Sequence, residues 1–227
     1  MRAGIQISSF RPLMQDEAGL RSVALHMAQM GAKVTQLQWI SKAVSPQTVR
    51  AVMDEFGIAV TGVQDKSPEL FADEEYYISL AAGSDICLSS ISLPLDEYVA
   101  KLDKLHAKYD GTLSFHPLKD DFAQLDALIE RAPYLRLVPD TCHLYITGHD
   151  VPAFIKTFAE RIDTVHIKDL LNDGTVVPAG SGELPLDAVI EACRAAGVKN
   201  VLAEQEKWQG DAFAVLKQGF DAVNKRI

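Results

Sequence analysis

The 227-residue sequence predicts a small, single-domain α/β protein (residues 1–227) folded as a (β/α)8 barrel. Three observations lead to this fold class. Short β-branched, apolar runs alternate with longer amphipathic stretches, the short runs number eight, and no linker or low-complexity segment divides the chain. Strands that alternate with helices form right-handed βαβ units and a parallel sheet. Eight such units in a chain of this length correspond to a small barrel with short loops.

The eight predicted strands are five or six residues long, which is typical of buried parallel strands. They cover residues 4–8, 33–38, 59–64, 85–90, 112–116, 135–139, 164–168 and 200–205. An open, doubly wound sheet is the competing fold, but a nucleotide-binding sheet of that kind carries a glycine-rich phosphate loop after its first strand. Neither GxGxxG nor GxxxxGK[ST] occurs in the sequence, which favours the barrel.

The stretches between these strands are predicted to be helices with recognisable ends. Over residues 16–30 the apolar side chains recur with the helical period and form one stripe. Ser45 and Pro46 are typical of an N-cap followed by proline at the first helical position. Gly31 and Gly57 lie where the preceding helices are expected to end.

The composition excludes several classes of protein. With 48% hydrophobic and 23% charged residues, the chain is neither disordered nor fibrous. A formal net charge of -9 argues against a nucleic-acid-binding face and against docking on anionic membranes. No apolar run is long enough to predict a membrane span, and no apolar leader is apparent, so we expect a cytoplasmic protein. Three cysteines without a CxxC pair predict neither a disulfide framework nor a zinc knuckle.

Chemically active side chains stand at the ends of four consecutive predicted strands. His116 ends the fifth strand, Asp140 follows the sixth, and His166 and Glu204 lie near the ends of the seventh and eighth. In a barrel, the carboxyl ends of the strands meet at one mouth, where function is located. One such residue alone is more often a cap or a solvated loop residue. Four together are of the types that suit a divalent metal of intermediate hardness.

The second half of the chain resembles a known family. Residues 137–143 (LVPDTCH) match an apolar-Asp-Thr-x-His segment, and 161–169 (RIDTVHIKD) match an Arg-Ile-x-x-Val-His-x-Lys-Asp run. A Pro-x-Gly-x-Gly loop follows at 178–183, and 201–206 are apolar residues followed by Glu-x-acid. Together these pieces, within about 111–206, resemble the sugar phosphate isomerase/epimerase branch of the xylose-isomerase-like TIM-barrel superfamily.

This resemblance implies a (β/α)8 TIM barrel that binds one divalent metal ion (Mn, Zn, Co, Mg or Fe(II)) and a small-molecule sugar at its C-terminal mouth. Matched by position, the implied metal ligands are Asp140, His166 and Glu204. Positions that contact the substrate or line its pocket correspond to His143, Lys168 and Glu206. We expect Trp39, which follows the second strand, to wall the same pocket.

The fifth strand departs from the family pattern, because His116 stands where the family often has a glutamate. We expect His116 to be the fourth metal ligand, and either His116 or Glu204 to be the base that moves a proton. The symmetrical pair of glutamates used by the epimerases is lost. One-base chemistry suits isomerisation and β-elimination as well as epimerisation.

The sequence therefore predicts a metal-dependent isomerase or epimerase of a small sugar or keto-sugar. It would remove a proton next to a carbonyl and pass through a metal-stabilised enediolate. Two alternatives stay open: a metal-dependent lyase or dehydratase acting on a keto-sugar or glycoside, and a non-catalytic binding subunit. Short loops leave a shallow mouth, which a second copy of the chain or another subunit is able to complete.

Overall fold

The computed structural model describes residues 1–227 and contains all eight predicted strands, in a parallel barrel. The barrel strands are β1 (Arg2–Ile5), β2 (Val34–Gln38), β3 (Ala59–Lys66), β4 (Asp85–Ser89), β5 (Leu113–His116), β6 (Arg136–Leu137), β7 (Thr164–Ile167) and β10 (Asn200–Ala203). Two further strands, β8 (Asp169–Leu170) and β9 (Val176–Val177), form an antiparallel hairpin that the sequence pattern did not predict. The predicted fold class is confirmed.

The helices alternate with the strands, as predicted. They are α1 (Glu17–Met30), α2 (Pro46–Glu55), α3 (Ser67–Ala72), α4 (Glu74–Ala81), α5 (Leu95–Lys108), α6 (Phe122–Arg131), α7 (Thr141–Ile146), α8 (Val151–Thr157), α9 (Leu186–Ala195) and α10 (Ala212–Asn224). Two 3-10 segments, Ile7–Leu13 and Ala159–Arg161, complete the set. None of the helices combines the length and the apolar character that crossing a membrane requires.

The predicted helix ends are also confirmed. The Ser45 side chain accepts a hydrogen bond from the backbone N–H of Thr48, and Pro46 is the first residue of α2. Gly31 and Gly57 follow α1 and α2 with φ angles of 92° and 66°. Because this left-handed conformation favours glycine, these two residues end their helices without strain.

Backbone hydrogen bonds arrange the barrel strands in two arcs, in the orders β2-β3-β4-β5-β6 and β7-β10-β1. At one seam, isolated parallel bridges join Leu137 to Ile162 and Asp140 to His166. β6 is shorter than predicted because Pro139, which lies in the predicted run, has no N–H to donate. The bridges carry the sheet across this short strand and bring Asp140 beside β7.

At the other seam, β1 and β2 lie side by side without a ladder. The Thr35 hydroxyl donates a hydrogen bond to the carbonyl oxygen of Ile5 at 2.7 Å. A Cβ atom added to Gly4 would lie 2.2 Å from the carbonyl oxygen of Val34, so only glycine permits this approach. The side-chain bond and the glycine thus bring the ends of the two arcs together.

A continuous core of 57 buried hydrophobic residues surrounds and fills the barrel. Each helix contributes its apolar stripe; α5, for example, buries Tyr98, Leu102 and Leu105. Close packing of this kind holds the strands rigidly. The residues at the strand ends are therefore held in fixed relative positions, which a site at the mouth of the barrel requires.

Candidate active site

The four residues that end consecutive strands converge at the C-terminal end of the barrel. His116 ends β5, Asp140 follows β6, and His166 lies in β7. Their potential ligand atoms lie within 4.8 Å of one another, and all three residues are buried. Glu204 directly follows β10, and its Oε2 lies 2.9 Å from Nδ1 of His166. The structure thus brings together the four residues predicted to bind metal.

Hydrogen bonds fix which nitrogen of each histidine faces the cluster. Nδ1 of His116 lies 2.9 Å from the carbonyl oxygen of Val138. Because a carbonyl only accepts, Nδ1 carries the proton and Nε2 keeps its lone pair. Nε2 of His166 lies 2.9 Å from Oε1 of Gln36, which leaves Nδ1 directed at Glu204. Burial, assisted by the nearby His166, lowers the pKa of His116 to about 3, so this imidazole is neutral, as a metal ligand must be.

Three buried glutamines from the opposite side of the barrel hold His166 in place. Nε2 of Gln6 donates to Oε1 of Gln36 and to Oε1 of Gln64, both at 3.0 Å. Since Gln36 is also the partner of His166, the network extends from β3 through β1 and β2 to β7. Sequence reasoning missed these residues. The available signal was a glutamine directly after β1 and within the predicted buried strands β2 and β3.

Lys168 is the cation of the site. Its Nζ lies 3.0 Å from Oε1 of Glu204, 3.0 Å from Oε2 of Glu206 and 3.5 Å from Oδ2 of Asp140. Burial disfavours the charge on Lys168, but the three carboxylates outweigh this effect and raise its pKa well above the ordinary value. Burial also opposes ionisation of Glu204, yet Lys168 and His166 hold its pKa well below the usual range. The site therefore contains an ammonium and an ionised carboxylate in contact.

Glu206 differs from its neighbour, because burial and the charge of Glu204 raise its pKa despite the contact with Lys168. Its side chain is also the most exposed of the group, at 33%. The two glutamates therefore have different protonation behaviour, and Glu206 is the one that reaches solvent.

The residues present fit a divalent metal ion. Oδ2 of Asp140, Nδ1 of His166 and Oε2 of Glu204 are buried atoms without a hydrogen-bond partner, because the close approach of the last two lacks hydrogen-bond alignment. Unpaired buried polar atoms are rare and costly. One ion bound to an imidazole nitrogen and to carboxylate oxygens would satisfy all three atoms at once.

Asp140 and His143 are positioned by the start of α7. Oδ1 of Asp140 accepts hydrogen bonds from the backbone N–H groups of Cys142 at 2.7 Å and His143 at 3.1 Å, which leaves only Oδ2 for the cluster. The ring of His143 lies 5.9 Å from that of His116, and its Nδ1 is buried without a partner. His143 is thus beside the cluster, where a substrate-binding role was predicted.

Asp169 organises the loop beside the site. It is fully buried and accepts four backbone hydrogen bonds of 2.9–3.0 Å, from Leu170, Gly180, Gly182 and Leu184. A Cβ atom on Gly182 would lie 2.4 Å from Oδ1 of Asp169, so the second glycine of the Pro-x-Gly-x-Gly loop is needed for this approach.

Three aromatic residues near the ends of the strands, Trp39, Phe10 and Trp208, have different surroundings. Trp39 lines a cavity of about 400 Å³ at the ends of β2 and β3, and none of the four predicted ligands is among its walls. Phe10 is fully buried in the core. Trp208 packs against the core and donates from Nε1 to the carbonyl oxygen of Ser9 at 2.9 Å. Of these three residues, only Trp39 lines a cavity without packing against the hydrophobic core.

Several solved structures share this architecture. A sugar phosphate isomerase/epimerase from Parabacteroides distasonis ATCC 8503 superimposes with a TM-score of 0.75 at 18% identity, covering 98% of this chain and 97% of that chain. An L-ribulose 3-epimerase gives a TM-score of 0.77 at 16% identity, with coverages of 98% and 93%. The probable 3-DHS dehydratase AsbF from Bacillus anthracis gives 0.72 at 14% identity, with 98% of each chain covered. The TM-scores show that these proteins share the fold, and at such low sequence identities the likeness shows the fold alone.

Sequence comparison identifies the family itself. No curated protein matches the chain. The model of the family described as xylose isomerase-like TIM barrel matches residues 77–224, which are more than half of the chain and include all four residues of the cluster. The chain therefore belongs to the xylose isomerase-like TIM barrel family.

Proposed function

We propose that the protein is a metal-dependent isomerase or epimerase of a small sugar or keto-sugar. The observation that carries this proposal is the convergence of His116, Asp140, His166 and Glu204, with three unpartnered buried atoms, at the mouth of the barrel. These four residues would hold one divalent ion. When bound, such an ion polarises a carbonyl and stabilises developing negative charge on its oxygen. The L-ribulose 3-epimerase with the same fold supports this class of reaction.

The chain's own residues divide the remaining work. The ionised Glu204 carboxylate would offer Oε2 to the ion and use Oε1 as the base that removes a proton from the carbon next to the carbonyl. His116 is neutral, with its free lone pair on Nε2, and so takes the ligand role instead. Lys168 lies within 3.0 Å of Glu204, close enough to orient a substrate oxygen and to stabilise negative charge there. His143 would contact a hydroxyl, and Glu206 would return the proton from the side open to solvent.

A lyase or dehydratase is the second candidate. His116 in place of a glutamate leaves an asymmetric site with one strong carboxylate base, which elimination requires as much as isomerisation does. The probable dehydratase among the solved structures of this fold also favours it. The product distinguishes the two reactions, since an isomer keeps the mass of the substrate whereas elimination splits the substrate or releases water.

The test uses the full chain, a panel of ketoses and solvent deuterium. We expect EDTA to abolish activity, Mn(II) to restore it, and deuterium to enter the carbon next to the carbonyl. Glu204→Gln should be inactive, whereas Glu191→Gln, which changes an exposed glutamate on α9, should match the wild type.

Full activity in EDTA without label would overturn the proposal. Calorimetry that detects no Mn(II) binding at micromolar concentrations would favour the non-catalytic binding subunit. The cytoplasmic location and the completion of the mouth by a second copy or another subunit stay predictions.

A further inference from the structure

The cavity beside Trp39 is not used by the chemistry proposed above. Its volume of about 400 Å³ lies within the ordinary range for small-molecule sites, and its walls include Arg11, Trp39 and Gln64. Oε1 of Gln64 accepts a hydrogen bond from Gln6, and Gln6 also reaches Gln36, the partner of His166. Three hydrogen-bonded amide side chains, those of Gln64, Gln6 and Gln36, therefore link the wall of the cavity to His166.

The backbone of Trp39 is strained. Its φ of 54° lies in the left-handed region, which is an outlier for so bulky a residue. The indole is half-buried but does not pack against the hydrophobic core, whereas the adjacent Ile40 and the distant Trp208 do. Core packing thus does not account for this conformation. Strain that packing does not explain is concentrated at ligand-binding sites.

Arg11 faces the same indole. It lies on the 3-10 segment Ile7–Leu13, next to the fully buried Phe10, and its guanidinium carbon is 4.6 Å from the Trp39 ring centroid. The guanidinium makes no ion pair and donates no hydrogen bond within the chain. A guanidinium stacked on an aromatic ring keeps its N–H edge free to bind an oxyanion in a bidentate manner.

Two of the other charged walls of the cavity, Lys42 and Asp65, already have partners. Lys42 pairs with Asp73 at 2.5 Å. Asp65 accepts hydrogen bonds from the Tyr77 hydroxyl at 2.6 Å and from the backbone N–H of Lys66. Tyr76 also lines the cavity, and its hydroxyl is buried without a partner. Glu69 is exposed and makes no ion pair, and the Asp65 carboxyl has no cationic partner, so the unpaired charges of the walls balance and Arg11 is the cation that lies over the indole.

We propose that Arg11 and Trp39 form a subsite for the anionic group of the substrate, which is accordingly an acidic sugar carrying a carboxylate or a phosphate. This inference rests on the proposed function and names its substrate class. The indole would pack against the sugar carbons while the guanidinium edge binds the oxyanion, and the reacting carbonyl would lie toward the cluster. The Arg11 guanidinium would thus set the specificity of the enzyme.

The test measures ligand binding by the change in the fluorescence of Trp39. Because the chain has two tryptophans, Trp208→Phe leaves Trp39 as the only indole reporter. The metal-loaded protein is titrated with a neutral ketose, its phosphate monoester, the corresponding sugar acid and inorganic phosphate. We expect the acidic sugars to bind at least about tenfold more tightly than the neutral ketose. The phosphate and carboxylate arms show which oxyanion is preferred.

Variants separate recognition from folding. Arg11→Gln should weaken the binding of acidic sugars about tenfold or more and change that of the neutral ketose less than about twofold, whereas Arg11→Lys should keep part of the affinity. Lys33→Gln, at an exposed site before β2, is the charge-matched control. Trp39→Gly has no indole reporter and is therefore titrated by calorimetry; it should weaken binding without lowering the unfolding temperature, because glycine relieves the positive φ. A tryptophan that serves only the fold would instead lower that temperature when removed.

The outcomes also separate this inference from the proposed function. If the metal-loaded protein converts neutral ketoses and Arg11→Gln changes no affinity, the subsite is overturned and the proposed function stands. If no sugar reacts but the affinity for acidic sugars depends on Arg11, the subsite stands and the proposed function is overturned. Equal binding of all the ligands overturns the subsite in either case.

Discussion

The two ends of the barrel both carry clusters of charged and polar side chains, but they differ in how fully those side chains are paired. At the N-terminal end, Arg2 donates twice to Oδ1 of Asn200, at 2.8 and 3.1 Å. Asp163 pairs with Arg136 at 2.8 Å and with Lys199 at 3.1 Å. These groups lock neighbouring strand ends together, as expected of the face that stabilises a barrel.

At the C-terminal end, the same kinds of side chain are left incomplete. Asp140, His166 and Glu204 each keep one buried atom without a partner, and so does His143. A cluster of charges at strand ends therefore does not identify a site by itself. Several buried atoms that lack partners and lie close to one another do, because one ligand is able to satisfy them together.

The largest effect should come from removing one carboxylate at each end. Asp140→Asn keeps the Oδ1 acceptor that caps α7 but loses the anionic Oδ2, so we expect Mn(II) affinity to fall by more than about 100-fold and activity by about 1000-fold. Asp163→Asn at the other end should leave Mn(II) affinity unchanged and reduce the free energy of unfolding by about 1 kcal/mol or less. Calorimetry and urea denaturation measure the two effects. Equal losses of Mn(II) affinity in Asp140→Asn and Asp163→Asn would show that the two ends do not differ in metal binding.

A smaller effect should follow from loosening one ligand without removing it. Gln36→Met has a similar shape but cannot accept the hydrogen bond from Nε2 of His166. We expect Mn(II) affinity to fall about 10- to 100-fold, and ¹⁵N NMR of the imidazole to show that His166 no longer holds a single tautomer. Gln47→Met, at an exposed site on α2, is the control and should change neither. An unaltered tautomer in Gln36→Met would mean that the glutamine network has only a packing role.

The smallest effect concerns Asp85 at the N-terminal end, whose Oδ1 is buried without a partner. Burial raises its pKa from 3.8 to about 7, although Ser114 donates a hydrogen bond to Oδ2 at 2.5 Å. The native state therefore holds this proton at pH values where the unfolded chain has lost it, so stability falls as pH rises from about 4 to about 7.

Asp85→Asn removes this dependence. Because the side chain is only half-buried, we expect a gain of about 1–2 kcal/mol in the free energy of unfolding at pH 8 and no gain at pH 4. Urea denaturation at both pH values gives the answer, with Asp110→Asn as an exposed control. The same gain in the free energy of unfolding at both pH values would show that ionisation of the Asp85 carboxyl does not destabilise the fold.

The sequence alone predicted the barrel and the four residues of the cluster for a simple physical reason. Buried parallel strands require apolar runs, and the first polar residue after each run, as at Asp140 and Glu204, marks the mouth. Gln6, Gln36 and Gln64 escaped notice because a glutamine in a strand resembles a solvated residue until closure of the barrel brings β1–β3 opposite β7.

Two other features were also beyond the pattern. β8 and β9 are two-residue strands, too short to show alternation. Trp39 was correctly placed past β2, but its φ and its contact with Arg11 depend on the course of two loops. The spacing of residues along the chain does not predict which cavity at the mouth of the barrel a loop residue lines.

The seam between β1 and β2 gives the site a part in the stability of the whole fold. No backbone ladder joins these strands, and the bond from Gln6 to Gln36 crosses between them beside the bond from Thr35 to Ile5. Gln36 is at the same time the partner of His166. A ligand that immobilises His166 therefore also holds the least hydrogen-bonded pair of strands together, and binding and local unfolding at this seam are thermodynamically linked.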